Sequence, residues 1–97
     1  MAYKVTNVWV RPNTGVAWFK ANTTQKNYFT GTFDNTGKRN IATSESGDSL
    51  TLTNVSTFTN NATKIEWDND STVQSYKTAR RQYNRNNSIT LTQTIEE

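Results

Sequence analysis

Four of the chain's 11 Lys and Arg residues fall within nine positions of the run YKTARRQYNRNN: Lys77, Arg80, Arg81 and Arg85. Lys77, Arg81 and Arg85 recur every four residues, so a helix would carry them as one stripe with Arg80 beside it. Such a stripe can follow a phosphate backbone, and Tyr76 and Tyr83, interleaved with it, can stack on bases. The same spacing also suits the last turns of a helix, where each cation complements the dipole by about 0.3–1 kcal/mol and both tyrosines turn to the core. The second alternative is the simpler, and it leaves Lys77, Arg80, Arg81 and Arg85 as a solvated surface able to meet an acidic partner.

The stretch EWDND sets Glu66, Asp68 and Asp70 at alternate positions, the spacing of an oxygen-ligand calcium loop. The rest of that loop is missing: Val73 stands at the sixth position from Asp68 where a glycine is needed, and Ala79 at the twelfth where a glutamate is needed. A helix terminator followed by a cap accounts for these acids better, and no metal or other cofactor is expected. The chain has no cysteine and no histidine, which removes disulfides, thiolate sites, the commonest general base and any Ser-His or Cys-His nucleophile. Four glycines in no clustered pattern provide no phosphate cradle. The expectation is therefore a protein that is not an enzyme.

Thr, Asn and Ser dominate the composition with 18, 13 and 7 residues, while the net charge is only +3 and the pI about 9.4. Eleven aromatics and clear alternation oppose disorder despite a mean hydropathy of −0.87. Thr suits a half-solvated strand and Asn suits caps and turns, so the composition describes an ordered domain with a hydroxyl- and amide-rich surface. Five N-x-S/T triplets are close to what chance gives in such a chain. No apolar run is long enough for a signal peptide or a membrane span, so the expectation is a product kept in a host cytoplasm or in a particle assembled there, not secreted by a signal peptide and without a membrane partner.

These side chains must be positioned by a single domain, 1–97, whose periodicities change along the chain. Tyr3 to Val10 reads as a strand stopped by Arg11-Pro12, with Trp9 sharing the parity of Tyr3, Val5 and Asn7. The spacing predicts a helix from Gly15 to about Phe33, with Trp18, Phe29 and Phe33 on one face and a second cap at Asn22 that can kink it. Gly37 suits the left-handed position after that helix. Lys38 to Ser44 and Ser49 to Phe58 form a hairpin around Glu45-Ser46-Gly47-Asp48, with Leu50, Leu52 and Phe58 on one face and Thr51, Thr53, Val55 and Thr57 on the other. A short helix capped by Asn60 or Asn61 ends at Asp68-Asn69-Asp70, and a second opens with the capping-box spacing of Ser71 and Gln74. Val73, Tyr76, Arg80 and Tyr83 share a stripe on it with Ala79 beside them, Asn86-Asn87 ends it, and Ser88 to Ile95 alternates as a last strand. The order βαββαβ is that of a ferredoxin-like α+β fold: a four-stranded antiparallel sheet with two helices, each open to a break, on one face.

Arg11-Pro12, Tyr28-Phe29, Thr36-Gly37-Lys38, Ser49-Leu50-Thr51, Asp68-Asn69-Asp70 and the closing Tyr83-Asn84 and Ser88-Ile89 together resemble the small dimeric α+β barrel domains related to antibiotic-biosynthesis monooxygenases. The likeness implies pairing through the sheets and a pocket between sheet and helices for an aromatic or haem substrate; the haem-degrading members use a His ligand, which this chain lacks. The composition, short and Thr- and Asn-rich without Cys or His, resembles accessory virion proteins of tailed bacteriophages. The expected function is a non-enzymatic structural protein of that kind, a capsid decoration or tail-associated component, whose partners are other copies of itself and further virion proteins. On that expectation Thr51, Thr53 and Thr57 join Lys77, Arg80, Arg81 and Arg85 as contact residues. A cofactor-independent monooxygenase-like enzyme is the alternative, and a small nucleic-acid-binding protein stands third.

Overall fold

The computed structural model describes residues 2–97. Its elements run β1 (Tyr3–Val10), α1 (Thr23–Phe29), β2 (Arg39–Glu45), β3 (Thr51–Phe58), α2 (Asn61–Asn69), α3 (Ser71–Asn86) and β4 (Thr90–Glu96). The strands order as β2-β3-β1-β4, with every neighbouring pair antiparallel. Each strand pair that a helical segment joins, β1 with β2 and β3 with β4, is therefore split by another strand, which is the ferredoxin-like arrangement.

Alternation decides which face of the sheet is covered. Val5, Asn7 and Trp9 on β1 and Ser56 and Phe58 on β3 are buried against the helices, and the opposite parity forms an outer face on which no helix of the described residues lies. Aromatic rings fill the covered side: Trp67 packs at 4.9 Å on Phe33, 5.1 Å on Phe29 and 5.8 Å on Phe58, with Val73 closing the cluster. Burying a side chain of that size contributes about 1.5–3 kcal/mol. One charged group lies inside this shell. Arg39 stacks 4.3 Å from the Trp67 ring and forks onto Asp34, Nε donating at 2.7 Å and Nη2 at 3.0 Å.

Local chemistry explains the helix ends. Asn22 and Gln25 form a complete capping box at the start of α1, each side chain bonding the other's backbone N–H. α1 passes into a π-helical turn at Thr30–Asp34, where Asn35 N–H reaches back to Thr30. Gly37, with φ of 77°, then takes the left-handed position expected of it. Asn60 caps α2, and Asp70 both ends α2 and caps α3 by accepting from the N–H groups of Thr72 and Val73, one residue earlier than the spacing of Ser71 suggests.

The helix expected from Gly15 is the one element the structure corrects. Residues 15–22 are a loop that opens on a turn at Thr14–Gly15, and helix begins only at Thr23. Arg11 pins this loop by donating to Ser49 O and Val16 O, both at 2.8 Å, while its guanidinium lies 4.5 Å from the Trp18 ring. Trp18 therefore leaves the face shared by Phe29 and Phe33 and donates to Glu45 Oε2 at 2.7 Å. Phe19 reaches across to Tyr76 and Tyr83 at 5.6 and 5.5 Å, and Tyr83 OH donates to Ala17 O. These contacts across the fold outweigh the weak helical preference of Val16 and Gly15.

Candidate functional site: a cationic cleft and an uncovered sheet face

Strand register creates a polar row inside the sheet's covered face. Thr43, Asn54, Asn7 and Gln93 are direct neighbours on β2, β3, β1 and β4. Gln93 Nε2 donates to Asn7 Oδ1 at 2.8 Å and Asn54 Nδ2 to Thr43 Oγ1 at 3.3 Å, while Ser56 Oγ donates to Asn54 Oδ1 at 3.1 Å. Asn7 is buried, and a buried amide left unpaired costs about 1–3 kcal/mol, so the row supplies its own satisfaction. Helices do not close over this row. A cleft of about 270 Å³ stands above it, walled by Phe29, Trp67 and Tyr76.

The cleft is cationic. Lys26, Arg39, Lys64, Lys77 and Arg80 line it against the single carboxylate of Asp34, which Arg39 already occupies. Lys64 and Lys77 converge on Asp68 from α2 and α3, Lys77 Nζ at 2.8 Å, and so tie the two helices at their break. Partial burial pushes the Asp68 carboxyl up, but the hydrogen bonds from Lys64 and Lys77 outweigh it and hold the group below the usual carboxylate range. Arg80 differs from the inward-facing Arg11 and Arg39. Its guanidinium lies 5.1 Å from the Trp9 ring and 5.3 Å from Tyr76, with no ion pair or hydrogen bond among the described residues. Trp9 Nε1 is buried and likewise without a partner. Trp9 and Arg80 share a second cavity of about 80 Å³ with Trp18 and Phe19. Unfilled donors between aromatic faces can take an oxyanion or a bridging water.

Of the four cations singled out by spacing, Lys77 is thus half-buried and paired, Arg80 stands in the cleft, and Arg81 and Arg85 are exposed along an open groove beside β4. The interleaved tyrosines are committed inward, Tyr76 and Tyr83 both on Phe19. The acids of EWDND each hold a structural partner. Glu66 pairs with Lys38 at 2.8 Å, Asp68 with its two lysines, and Asp70 caps α3 while accepting from Tyr28 OH. That last bond, the largest cause, raises the Tyr28 phenol above its ordinary value. No group of three or more His, Cys, Asp or Glu among the described residues is placed to hold a metal ion.

The threonines lie on the other side of the sheet. Thr51, Thr53, Val55 and Thr57 of β3 face outward beside Thr6, Val8 and Val10 of β1, flanked by Ala42 of β2 and Thr90, Thr92 and Thr94 of β4. Its strand residues carry one cation and one carboxylate, Lys4 and Glu96, 3.9 Å apart at one corner. The spacing of the basic run singled out Arg80 but not its isolation between Trp9 and Tyr76, and the polar row had no counterpart among the expectations. The row's signal was present: Asn7, Asn54 and Gln93 occupy core parity on three strands. Among the described residues, no helix is long and apolar enough to cross a membrane. Comparison with protein-family models, curated proteins and solved structures finds no match.

Proposed function

We propose that the chain is a non-enzymatic assembly protein, an accessory component of a tailed-phage particle, that pairs with a second copy through the outer face of its sheet. The uncovered face carries this reading. Four strands about 4.8 Å apart and seven or eight residues long expose a plane on the order of 500 Å² per copy, at the low end of what a specific pair buries. Val8, Val10, Val55 and Ala42 give it an apolar strip, and β-branched threonines surround that strip with side chains that lose little freedom on burial. Lys4 and Glu96 neutralise one another, so two copies can meet face to face without opposing like charges. The phage assignment is supported by composition: abundant Thr and Asn, and no Cys or His for chemistry. Mass spectrometry of purified particles of the source virus tests it, together with light scattering on the isolated chain. Detection at a fixed copy number and a salt-resistant dimer are expected; absence from the particles, or a monomer at all concentrations, overturns the reading.

The cleft favours a second reading, a cofactor-independent monooxygenase-like enzyme of the dimeric α+β barrel type. Its support is the aromatic wall of Phe29, Trp67 and Tyr76 beside the unpaired Arg80. Turnover of a small aromatic substrate that is lost in Tyr76→Ala would place this reading first.

A further inference from the structure

β4 is an edge strand, bonded to β1 alone among the described residues, and of the devices that protect such edges it carries only the charge of Glu96 at its last position. Thr90–Glu96 contains no proline, no lysine and no bulge, so an unguarded row of N–H and C=O groups faces outward. Its helix-side residues are uncovered as well: Leu91 is 44% and Ile95 49% exposed. Above Leu91 and Gln93 the flank of α3 and the edge of β4 bound an open groove of about 430 Å³, with Arg81 and Arg85 on its wall and Ile95 beyond its end. Neither arginine has an ion pair or a side-chain hydrogen bond among the described residues. Their spacing is informative. Four residues of helix rise about 6 Å, close to the 6.6–6.8 Å between same-side residues of a strand.

From this geometry we infer that β4 accepts an acidic extended segment of a partner protein as a fifth strand, with two carboxylates at i and i+2 meeting Arg85 and Arg81 and an apolar side chain at i+4 lying over Ile95. Backbone bonding supplies attachment, and the α3 cations select sequence and register. A second copy of this chain fits the edge poorly. Two-fold pairing of β4 with β4 would place both α3 helices on the same side of one continuous sheet and oppose four uncompensated arginines. The inference is independent of pairing through the outer face, which lies on the opposite side of the sheet.

The probe is a fluorescein-labelled peptide, Glu-Thr-Glu-Thr-Val-Thr-Val, followed by anisotropy against the full chain and compared with a peptide of the same composition whose glutamates are adjacent. Saturable binding of the alternating peptide is expected, at least tenfold weaker for the adjacent arrangement and at least tenfold weaker for Arg81→Glu/Arg85→Glu. Both arginines are exposed, so the variant should fold, and it should in turn prefer Lys-Thr-Lys-Thr-Val-Thr-Val. Val8→Lys, on the outer face, should leave peptide binding unchanged even if it abolishes pairing. Equal affinity for the two peptide arrangements, no saturable binding at low salt, tighter and steeply salt-dependent binding of oligothymidylate, or a dimer lost in Leu91→Lys would each overturn the inference.

Discussion

Asp34→Ala removes the acceptor of the deepest charge in the fold. The Arg39 side chain is 8% exposed and Asp34 22%, and the two are joined by a bidentate bond. Deleting the carboxylate leaves a guanidinium under Trp67 with no counter-charge, and breaking a buried pair in this way costs about 3–5 kcal/mol. Asp34 keeps some contact with solvent, so water can enter beside Arg39, and the lower end, about 3 kcal/mol, is the expected value. For a domain of this size that corresponds to a fall in Tm of about 12–24 °C. Arg39→Met, close in shape, removes the charge instead of orphaning it. In the double variant Asp34→Ala/Arg39→Met at least about 1 kcal/mol of the loss should return, because no unpaired cation remains. Urea denaturation of the four proteins, followed by tryptophan fluorescence, closes the cycle. An Asp34→Ala cost below about 1 kcal/mol, or a double variant less stable than either single one, would show that the pair is not the buried charge-assisted clamp described above.

Three further outcomes follow from the packing, the caps and the charges. Phe33→Ala, at a nearly fully buried position against Trp67, should lower stability by about 3–5 kcal/mol in the same denaturation assay, whereas Ile65→Ala, exposed on α2, should change it by less than about 0.5 kcal/mol. Asp70→Ala, which leaves two N–H groups of α3 without their acceptor, should cost about 1–2 kcal/mol; Asp70→Asn should recover most of it, and no recovery would mean that the charge or Tyr28 matters more than the cap. Because the Asp68 carboxyl is held low in the fold, its contribution is present above the unfolded value near pH 4 and is lost as pH falls through the folded value. Denaturation midpoints measured from pH 7 down to 3 should therefore fall less steeply in Asp68→Asn than in the parent, and equal slopes would remove Asp68 from the account.

The order of elements along the chain and most helix ends were legible because they depend on local chemistry. Parity alone separated Phe58 from Thr57, and Asn60, Asp70 and Gly37 announced their ends through capping and backbone preference. The loop at residues 15–22 was not legible, because its conformation is set by Arg11 bridging to Ser49 and by Phe19 packing on α3, contacts between residues distant in sequence. Charge spacing found the α3 cations but not their separate environments. Lys77 owes its pairing to an acid at the end of another helix, and Arg80 owes its isolation to Trp9 on the central strand. The polar row across Thr43, Asn54, Asn7 and Gln93 needed the strand register before its members became neighbours. β4 shows the same limit: Leu91 and Ile95 have core parity, yet the helix layer stops short of them.

Pairing through the outer sheet face is read out by sedimentation velocity of the parent chain and of Val8→Lys over a hundredfold concentration range in moderate salt. Val8 lies mid-sheet between Thr53 and Thr92, so a lysine there would place a charge in the middle of the paired faces while leaving the core untouched. The parent should sediment as a dimer, and Val8→Lys as a monomer with an unchanged Tm in the dilute limit. A parent chain that sediments as a monomer throughout, or a Val8→Lys variant that dimerises as tightly as the parent, would contradict that pairing.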